Sequence, residues 1–294
     1  MRPDFLDEGL ERGGFMSRSS HKFEKISLIL GGLLLACACN QTSFSPATAN
    51  IAPNSNQVNP PAPSPSPPNP CVPVSQQSRL LKVMFLVDTS GSNFENNTTT
   101  DGTDPDKKFR LGSIQNFFNR YQTKTNIQWG FTSFSNDTVT DFVGAGGHGS
   151  FTSDPNQMQN ALNQFSNLQD QGDTPYVTAL NSVANDIAND PDLHSKANPL
   201  YYVIFLSDGY PTDVGSPSDI QNTISQLLAT DPKNVLLSTV FYGHKSDPES
   251  PAALNMLGAM AKMGGGVFAD ATDPKSIIDI DQLLAPPPSQ CPNP

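Results

Sequence analysis

Apolar segments of two kinds alternate between residues 79 and 285, and this alternation constrains the fold more than any other feature. Runs such as Leu80–Val87 and Leu200–Leu206 are almost continuously apolar, which is typical of strands buried on both faces of a sheet. The segments between such runs, for example Lys107–Tyr121, carry apolar residues at helical spacing. Strands that alternate with helices usually form a parallel sheet covered by helices. The sequence therefore predicts an α/β domain with a doubly wound, mostly parallel central sheet and helices on both faces.

The predicted elements follow one another along this domain without any internal repeat. We expect strands at Leu80–Val87, Ile127–Phe134, Leu200–Leu206, Val235–Tyr242 and Gly266–Ala269, with a short edge strand at Val139–Val143. We expect helices at Lys107–Tyr121, Thr174–Ile187, Ser218–Ala229, Ala252–Met263 and Lys275–Leu284, and a short one marked by Met158, Leu162 and Phe165.

The first 36 residues are predicted to be a signal peptide. The apolar run Ile26–Ala36 follows two lysines and is too short to cross a bilayer, which is typical of an export signal. The first 15 residues are rich in acids, so Met16 is an alternative start. The stretch Leu34–Cys37 resembles the bacterial lipobox, which predicts a lipidated Cys37, with Cys39 as the alternative residue. The other interpretation is an ordinary signal peptide beside an unmodified cysteine.

The next segment, residues 37–78, is predicted to be a lipid-anchored linker. Asn40–Pro70 is rich in Pro, Asn, Ser and Ala and has almost no large apolar residues, so it cannot bury a core. A lipid anchor followed by such a spacer holds a domain away from a membrane. We therefore expect the protein in a bacterial cell envelope, anchored at the outer membrane or the cell surface.

Two further cysteines, Cys71 and Cys291, bracket the predicted domain, and Cys291 lies in a C-terminal tail of residues 286–294. An even pair of cysteines in an exported protein favours a disulfide. The termini of α/β domains are often close together, so the bridge is geometrically reasonable. Two free thiols are the alternative.

The charge of the chain excludes some classes of partner. The formal net charge is -11 and the sequence pI is about 4.6. A protein that binds nucleic acid needs a basic face for the phosphates, so we expect no nucleic acid partner. Long-range attraction to an anionic membrane surface is disfavoured for the same reason.

Oxygen-bearing side chains lie in three separated loops, each at the end of a predicted strand or the start of a predicted helix. Ligands of open α/β sheets bind at the carboxyl ends of the strands. Two carboxylates and three hydroxyls are the ligands that a hard divalent cation takes. Any one of the three loops alone is better explained as turn or cap chemistry. Together they predict a metal site formed by Asp88, Ser90, Ser92, Thr174 and Asp208.

This pattern resembles the metal-ion-dependent adhesion site of the von Willebrand factor A (vWA) family, the fold of integrin inserted domains. The resemblance extends over residues 79–285 and includes the order of the elements. It implies that the hydroxyls bind the cation directly, while the two aspartates bind partly through water or orient the hydroxyls. Mg²⁺ is the implied cation, with Mn²⁺ or Ca²⁺ as alternatives.

The resemblance also implies a partner. A cation held by few charged ligands accepts an Asp or Glu from a protein or peptide, which suggests adhesion or assembly of an envelope complex. Three aromatic residues, Phe94, Tyr176 and Tyr210, adjoin the predicted ligands, and we expect them to form a rim that contacts the partner. Packing within the domain itself is their alternative role.

Two other functions compete with this one. A metal-dependent hydrolase would need a general base near the same cation, and the three loops contain no spare His or Glu, so we expect no enzyme. A structural envelope protein with an unused site is the other alternative. The glycine-rich stretch Gly144–Gly149 lacks the following helix that a dinucleotide site needs and is predicted to be a loop.

The segment Ser92–Asp106 is a departure from the family pattern, because many relatives enter the first helix sooner. It contains three aspartates, Asp101, Asp104 and Asp106. They lack the spacing of a calcium loop, so a solvated acidic loop is predicted, with a second cation site as the alternative.

Overall fold

The computed structural model describes residues 79–94, 102–143 and 150–284. The chain divides into two units, Met1–Ala62 and Pro63–Pro294, and all described residues lie in the second. The predicted signal peptide, the linker, the C-terminal tail and all four cysteines, Cys37, Cys39, Cys71 and Cys291, lie outside the described residues. Within the described part of the chain, no helix is both long and apolar enough to span a bilayer.

A six-stranded sheet forms the centre of the domain, with strand order β3-β2-β1-β4-β5-β6. Only β3 is antiparallel to its neighbour; the other pairs are parallel. The strands are β1 Leu81–Asp88, β2 Ile127–Ser135, β3 Thr138–Asp141, β4 Leu200–Ser207, β5 Val235–Phe241 and β6 Gly265–Asp270. The helices are α1 Lys108–Tyr121, α2 Pro155–Asn167, α3 Tyr176–Ala188, α4 Pro217–Thr230 and α5 Ser250–Met263. The predicted fold class is confirmed.

Alternate residues of the central strands enter two separate cores, as a sheet covered on both faces requires. On β1, Phe85 packs on one face with Phe117 and Trp129, whereas Leu86 packs on the other face with Phe205. Every residue of β1 and β4 is buried. These two strands are therefore the rigid centre of the sheet, and side chains at their carboxyl ends are held in fixed positions.

The predicted helix Lys275–Leu284 is wrong. Only a short 3-10 helix, Ile280–Leu283, forms in this segment. The backbone before it is fixed by contacts with α1 instead: the backbone N–H of Ile278 donates to Oγ of Ser113 over 3.1 Å. Arg120 on α1 pairs with the carboxylates of Asp279 and Asp281. Tertiary contacts thus override the helical periodicity here.

The insertion between β1 and α1 folds back onto the loop that follows β1. The backbone N–H groups of Gly102, Thr103 and Asp104 donate to the carbonyls of Phe94, Ser92 and Asn93, each over 3.1 Å. A Cβ on Gly102 would lie 2.3 Å from the carbonyl carbon of Phe94, so only glycine permits this close return.

The aspartates of the insertion differ from one another, so the prediction of a solvated acidic loop is wrong for Asp104. Asp104 is buried, and its carboxylate accepts the backbone N–H groups of Phe109 and Arg110 at the start of α1. Asp106 is exposed and pairs with Lys108, while Asp101 lies outside the described residues. Asp104 is a helix cap, which the sequence pattern did not reveal.

Candidate metal site

Two carboxylates meet at the carboxyl ends of the central strands. Asp88 is the last residue of β1, and Asp208 directly follows β4. The two strands are parallel neighbours in which Val87 pairs with Leu206, so their ends lie side by side. Both side chains are buried, with relative exposures of 0% for Asp88 and 4% for Asp208.

The loop after β1 is shaped by the carboxylate of Asp88. Its Oδ1 accepts the backbone N–H of Ser90 over 2.8 Å, and its Oδ2 accepts the hydroxyl of Ser207, the last residue of β4. Beyond this turn the hydroxyls continue toward the second carboxylate: Oγ of Ser90 lies 3.1 Å from Oγ of Ser92, which donates to Oδ1 of Asp208 over 2.9 Å. The structure thus brings Asp88, Ser90, Ser92 and Asp208 into one connected group.

Thr174 joins this group from the loop before α3. Its backbone N–H donates to Oγ1 of Thr212 over 3.1 Å, and its carbonyl accepts the N–H of Thr212 over 3.0 Å. A Cβ built on Gly209 would lie 3.8 Å from Oγ1 of Thr174 and 3.9 Å from Oγ of Ser92, so both hydroxyls face the same point of the backbone. The helix begins at Tyr176, one residue later than a proline in its first position would imply.

The loop that carries Thr174 is fixed to the rest of the site by Gly172. This residue has φ +76°, and a Cβ there would lie 1.6 Å from Oδ1 of Asn136. That oxygen already accepts the backbone N–H of Asp173, so Asn136 cannot move away without losing a hydrogen bond. The carbonyl of Gly172 accepts the N–H of Gly91 over 2.9 Å, which joins the two ligand loops directly.

Arg110, on α1, is fully buried beside the site and binds residues from three loops. Its Nε donates to Oδ2 of Asp104 over 3.0 Å, and its Nη2 donates to Oδ2 of Asp170 over 2.8 Å. Its Nη1 donates to the backbone carbonyl of Asp88 over 2.7 Å. Lys107 forms a second, 3.1 Å ion pair with Asp170. The guanidinium therefore ties the insertion and the loop before Thr174 to the end of β1.

The buried charges of this region do not balance among themselves. The group contains four buried carboxylates and two buried cations, namely Asp88, Asp104, Asp170, Asp208, Lys107 and Arg110. Lys107 and Arg110 pair with Asp104 and Asp170, whereas Asp88 and Asp208 form no ion pair with any residue that the structure describes. Two negative charges are left over, and buried charges are costly unless they are paired or bind a metal. A divalent cation would supply the missing charge.

The pKa values of Asp88 and Asp208 are both raised above their usual values. Burial, with a smaller effect from the charge of Asp208, raises the pKa of Asp88 to about 7. Burial also raises the pKa of Asp208. Each carboxyl therefore holds a proton more tightly than in water, which is the usual result when a carboxylate is buried away from solvent.

The oxygens of the site fit a hard cation. Oδ2 of Asp208 and Oγ1 of Thr103 are both buried. The Thr103 hydroxyl interacts with the Asp208 carboxylate and lowers its pKa, and neither atom has a further hydrogen-bond partner in the described part of the chain. The described residues contain no group of three or more His, Cys, Asp and Glu side chains arranged to hold a metal. A cation here would consequently be held by hydroxyls together with two carboxylates, a set of oxygen donors suited to Mg²⁺, Mn²⁺ or Ca²⁺.

A sequence model of the von Willebrand factor type A domain matches residues 82–282. The chain belongs to this family. No curated protein sequence matches the chain.

Several solved structures resemble the vWA domain. One is a von Willebrand factor type A protein from Catenulispora acidiphila, with 16% identity over 71% of this chain and a TM-score of 0.47. Another is the manganese-loaded TRAP protein of Plasmodium vivax, with 15% identity over 70% of this chain and 71% of that protein, and a TM-score of 0.45. A third is proximal thread matrix protein 1 of the mussel byssus with a zinc-occupied MIDAS motif, with 18% identity over 66% of this chain and a TM-score of 0.45. The chain covers 40% of the first protein and 42% of the third.

A cavity of about 720 Å³ opens above the candidate site of the vWA domain. Ser92, Thr174 and Asp208 line it, so three of the predicted ligands face its interior. Phe94 and Tyr210 also line it, and the side chain of Phe94 is 48% exposed. That these two residues form a rim that contacts a partner stays a prediction.

The predicted rim role of Tyr176 is wrong. Its side chain is fully buried and packs against the rings of Phe134 and Phe205. Its hydroxyl donates to the carbonyl of Gly209 over 2.7 Å, so it supports the loop after Asp208 from beneath. Tyr176 is the first residue of α3, and the start of the helix turns its ring toward the sheet rather than toward solvent.

Sequence reasoning missed the residues that support the ligands. Asn93 is buried between the loops: Oδ1 accepts the hydroxyl of Tyr242 over 2.8 Å, and Nδ2 donates to Oδ1 of Asp208 over 3.4 Å. Asp213 accepts the backbone N–H groups of Val177 and Thr178 and thus caps α3. Ser207 is a supporting residue that the sequence could have indicated, because it is the last residue of β4 and directly precedes Asp208.

In the absence of a divalent cation, we expect the vWA domain to lose stability as the pH rises from about 4 to about 7. The pKa of Asp88 is about 7 in the folded protein, against about 3.9 in an unfolded chain, so the folded state binds the proton more tightly. The free energy of unfolding should fall by up to about 1.4 kcal/mol per pH unit across this window. Thermal unfolding in EDTA at several pH values measures the slope.

The matched control is Asp88→Asn, which removes one of the two carboxyls with a raised pKa and should reduce that slope. Saturating Mg²⁺ should stabilise the wild type more at pH 7.5 than at pH 5, because the cation competes with the proton for the carboxylates. Equal slopes for wild type and Asp88→Asn would contradict the assignment of the shifted pKa to this residue.

Proposed function

We propose that this protein is a cell-envelope vWA lipoprotein that binds a protein or peptide through a divalent cation. The cation would be held by Asp88, Ser90, Ser92, Thr174 and Asp208, with Mg²⁺ as the first candidate and Mn²⁺ or Ca²⁺ as alternatives. The observation that carries the proposal is that Asp88 and Asp208 are buried together beneath an open cavity and form no ion pair with any described residue. A bound cation would offer a coordination position to an Asp or Glu of the partner.

The residues of the chain prepare such a contact in two ways. Hydroxyls supply neutral oxygens, so the charge of a divalent cation is balanced by Asp88 and Asp208 alone and the cation stays attractive to a further carboxylate. Phe94 and Tyr210 line the cavity above the site and offer apolar contact area around that carboxylate. The long-range field of a chain with net charge -11 opposes an acidic partner, so recognition depends on these short-range contacts.

Domains of this family are in general non-catalytic adhesion or interaction modules. The hydrolase alternative requires a general base close to the cation. No histidine is among the described residues that line the cavity. We therefore propose a binding function, in adhesion or in assembly of an envelope complex.

Calorimetry with Mg²⁺ and Mn²⁺ tests the site. Wild type should bind either cation, and Asp208→Asn should abolish binding, because the substitution removes one of the two unpaired charges while keeping the shape of the side chain. Partner capture from envelope extract should need Mg²⁺, stop in EDTA and fail with Asp208→Asn. Capture that survives both treatments would place the interface elsewhere, and metal binding without any capture would favour the structural alternative.

The rim is tested within the same experiment by two further variants. Phe94→Ala and Tyr210→Ala should each weaken partner binding by about 1–2 kcal/mol, roughly tenfold, while the affinity for the cation stays the same. The matched control is Ile277→Ala, because Ile277 is an exposed apolar residue, 42% accessible, that does not line this cavity.

We also propose that Cys37 carries the lipid anchor and that the linker of residues 37–78 holds the domain away from the membrane. Several acyl chains retain a protein stably, whereas one chain anchors it only marginally. Cys37→Ala should move the protein from the membrane fraction to the soluble fraction. Release by Cys39→Ala alone would assign the anchor to Cys39, and release by neither variant would contradict lipidation.

Finally, we propose a disulfide between Cys71 and Cys291. Such a bridge would close a loop that contains the whole domain, and the chain-entropy model assigns a loop of this size roughly 5 kcal/mol of stabilisation. Mass spectrometry under non-reducing conditions should find the two cysteines linked in protein purified from the envelope. Two free thiols would refute the bridge.

A further inference from the structure

A second cluster of buried charges lies at the amino ends of the central strands, at the opposite end of the sheet from the candidate metal site. Lys82, the second residue of β1, is 1% exposed, and Asp190, in the loop between α3 and β4, is 5% exposed. The Nζ atom of Lys82 lies 2.7 Å from Oδ1 and 2.6 Å from Oδ2 of Asp190, and 2.8 Å from Oδ2 of Asp192. One buried lysine thus contacts two carboxylates.

The other lysines that pair with aspartates in the described part of the chain have different surroundings. Lys107 contacts a single oxygen of Asp170, over 3.1 Å, and donates a second hydrogen bond to the carbonyl of Leu168. Lys108 and Asp106 form a pair in which both side chains are exposed to water. These two pairs have the geometry of ordinary ion pairs, and they serve below as internal comparisons for Lys82.

The contacts of Lys82 place an amine directly against a carboxyl group. Nearly equal distances to the two oxygens of Asp190 put Nζ opposite the carboxyl carbon, within the separation of about 3–3.5 Å from which a bond forms. The backbone N–H of Asp192 donates to Oδ1 of Asp190 over 2.8 Å, so it holds the carboxyl in place and stabilises negative charge on that oxygen. The carboxylate of Asp192, which is partly open to water, is within reach of the protons on Nζ.

The surroundings of this pair favour neutral groups over charged ones. The ring of Phe151 lies 5.2 Å from Nζ of Lys82 and packs against the ring of Tyr201. Burial, followed by the neighbouring charge of Asp190, raises the pKa of Tyr201, so its hydroxyl keeps its proton and donates to the Asp190 carboxyl. A buried ion pair carries a large desolvation cost, which disappears when its two charges are removed.

We propose that Lys82 and Asp190 become joined by an isopeptide bond that the folded protein forms by itself. The ammonium group of Lys82 gives one proton to the carboxylate of Asp192, and the neutral Nζ then attacks Cγ of Asp190. A bond forms between Nζ and Cγ, and the bond between Cγ and Oδ2 breaks. Oδ2 leaves as water with two protons, one returned by Asp192 and one released by Nζ. The ammonium and the carboxylate are thereby converted to a neutral amide, and the reaction needs no oxidant, reductant or cofactor.

The position of this bond gives it a mechanical consequence. It would connect the start of β1 to the loop before β4, close to where the chain enters the domain from the predicted linker. Tension along the linker would then be carried by a covalent bond in addition to the hydrogen bonds of the sheet. This consequence rests on the lipid anchor proposed above, whereas formation of the bond does not.

Mass spectrometry of the reduced, trypsin-digested full-length protein tests the inference. The peptides that contain Lys82 and Asp190 should be recovered as one branched peptide, lighter than their sum by one water molecule. Trypsin should not cleave after Lys82, because an acylated lysine has lost its charge. Lys107 and Lys108 should be cleaved normally and should show no loss of water. Separate peptides of ordinary mass, with cleavage after Lys82, would overturn the inference.

Two variants provide the controls, with circular dichroism as the measure of folding. Lys82→Arg keeps a positive charge but not the amine, so its intact mass, corrected for the substitution, should exceed that of wild type by one water molecule. Asp192→Asn keeps both reacting groups and removes the proton carrier, so it should slow bond formation at least about a hundredfold. The unreacted fraction of freshly purified protein, followed over time, measures this rate. A folded Lys82→Arg variant with the same loss of water as wild type would overturn the assignment to Lys82, and an unchanged rate in Asp192→Asn would overturn the role of Asp192.

Discussion

The burial of Asp88 and Asp208 side by side, without an ion pair to any described residue, is the constraint around which the rest of the site is arranged. Parallel pairing of β1 with β4 brings the two carboxylates together at the ends of fully buried strands, where neither can turn away into water. Such a pair is stable only if it is protonated or if a cation binds. The fold therefore holds a negative charge in place at some cost in stability, which is typical of functional sites.

Arg110 explains how the segment between β1 and α1 is held against the site. Arg110 sits between Asp104 of the insertion and Asp170 of the loop before α3, and it also binds the carbonyl of Asp88. Removal of one partner from a buried network of this kind leaves other charges uncompensated, at a typical cost of about 3–5 kcal/mol. The segment between β1 and α1 is thereby part of the support of the ligand loops, and it places Phe94 on the wall of the cavity.

Most of the architecture could be predicted because its signals are local and repeated. Continuous apolar runs identified all the parallel strands, and helical spacing identified five helices, with ends that differ by a few residues. The segment Lys275–Leu284 has the same spacing but forms only a 3-10 helix, because Ser113 and Arg120 on α1 take up its backbone and its acids. Tyr176 is a second residue whose environment depends on tertiary packing. Its position close to Thr174 suggested that it lies at the rim of the site, but the direction of α3 turns its side chain into the core.

The sequence by itself determined the fold class, the order of the elements and the five oxygen-bearing side chains, because strand periodicity and the positions of loops at strand ends are properties of short segments. Tertiary structure alone decided what surrounds them. The contacts of Arg110 with Asp104 and Asp170, of Asn93 with Tyr242, and the presence of Glu249 on the cavity wall join residues that are far apart in the chain or show no local pattern. Their spacing carries no signal, because it is the packing of helices and loops against the sheet that brings these charges within reach of one another.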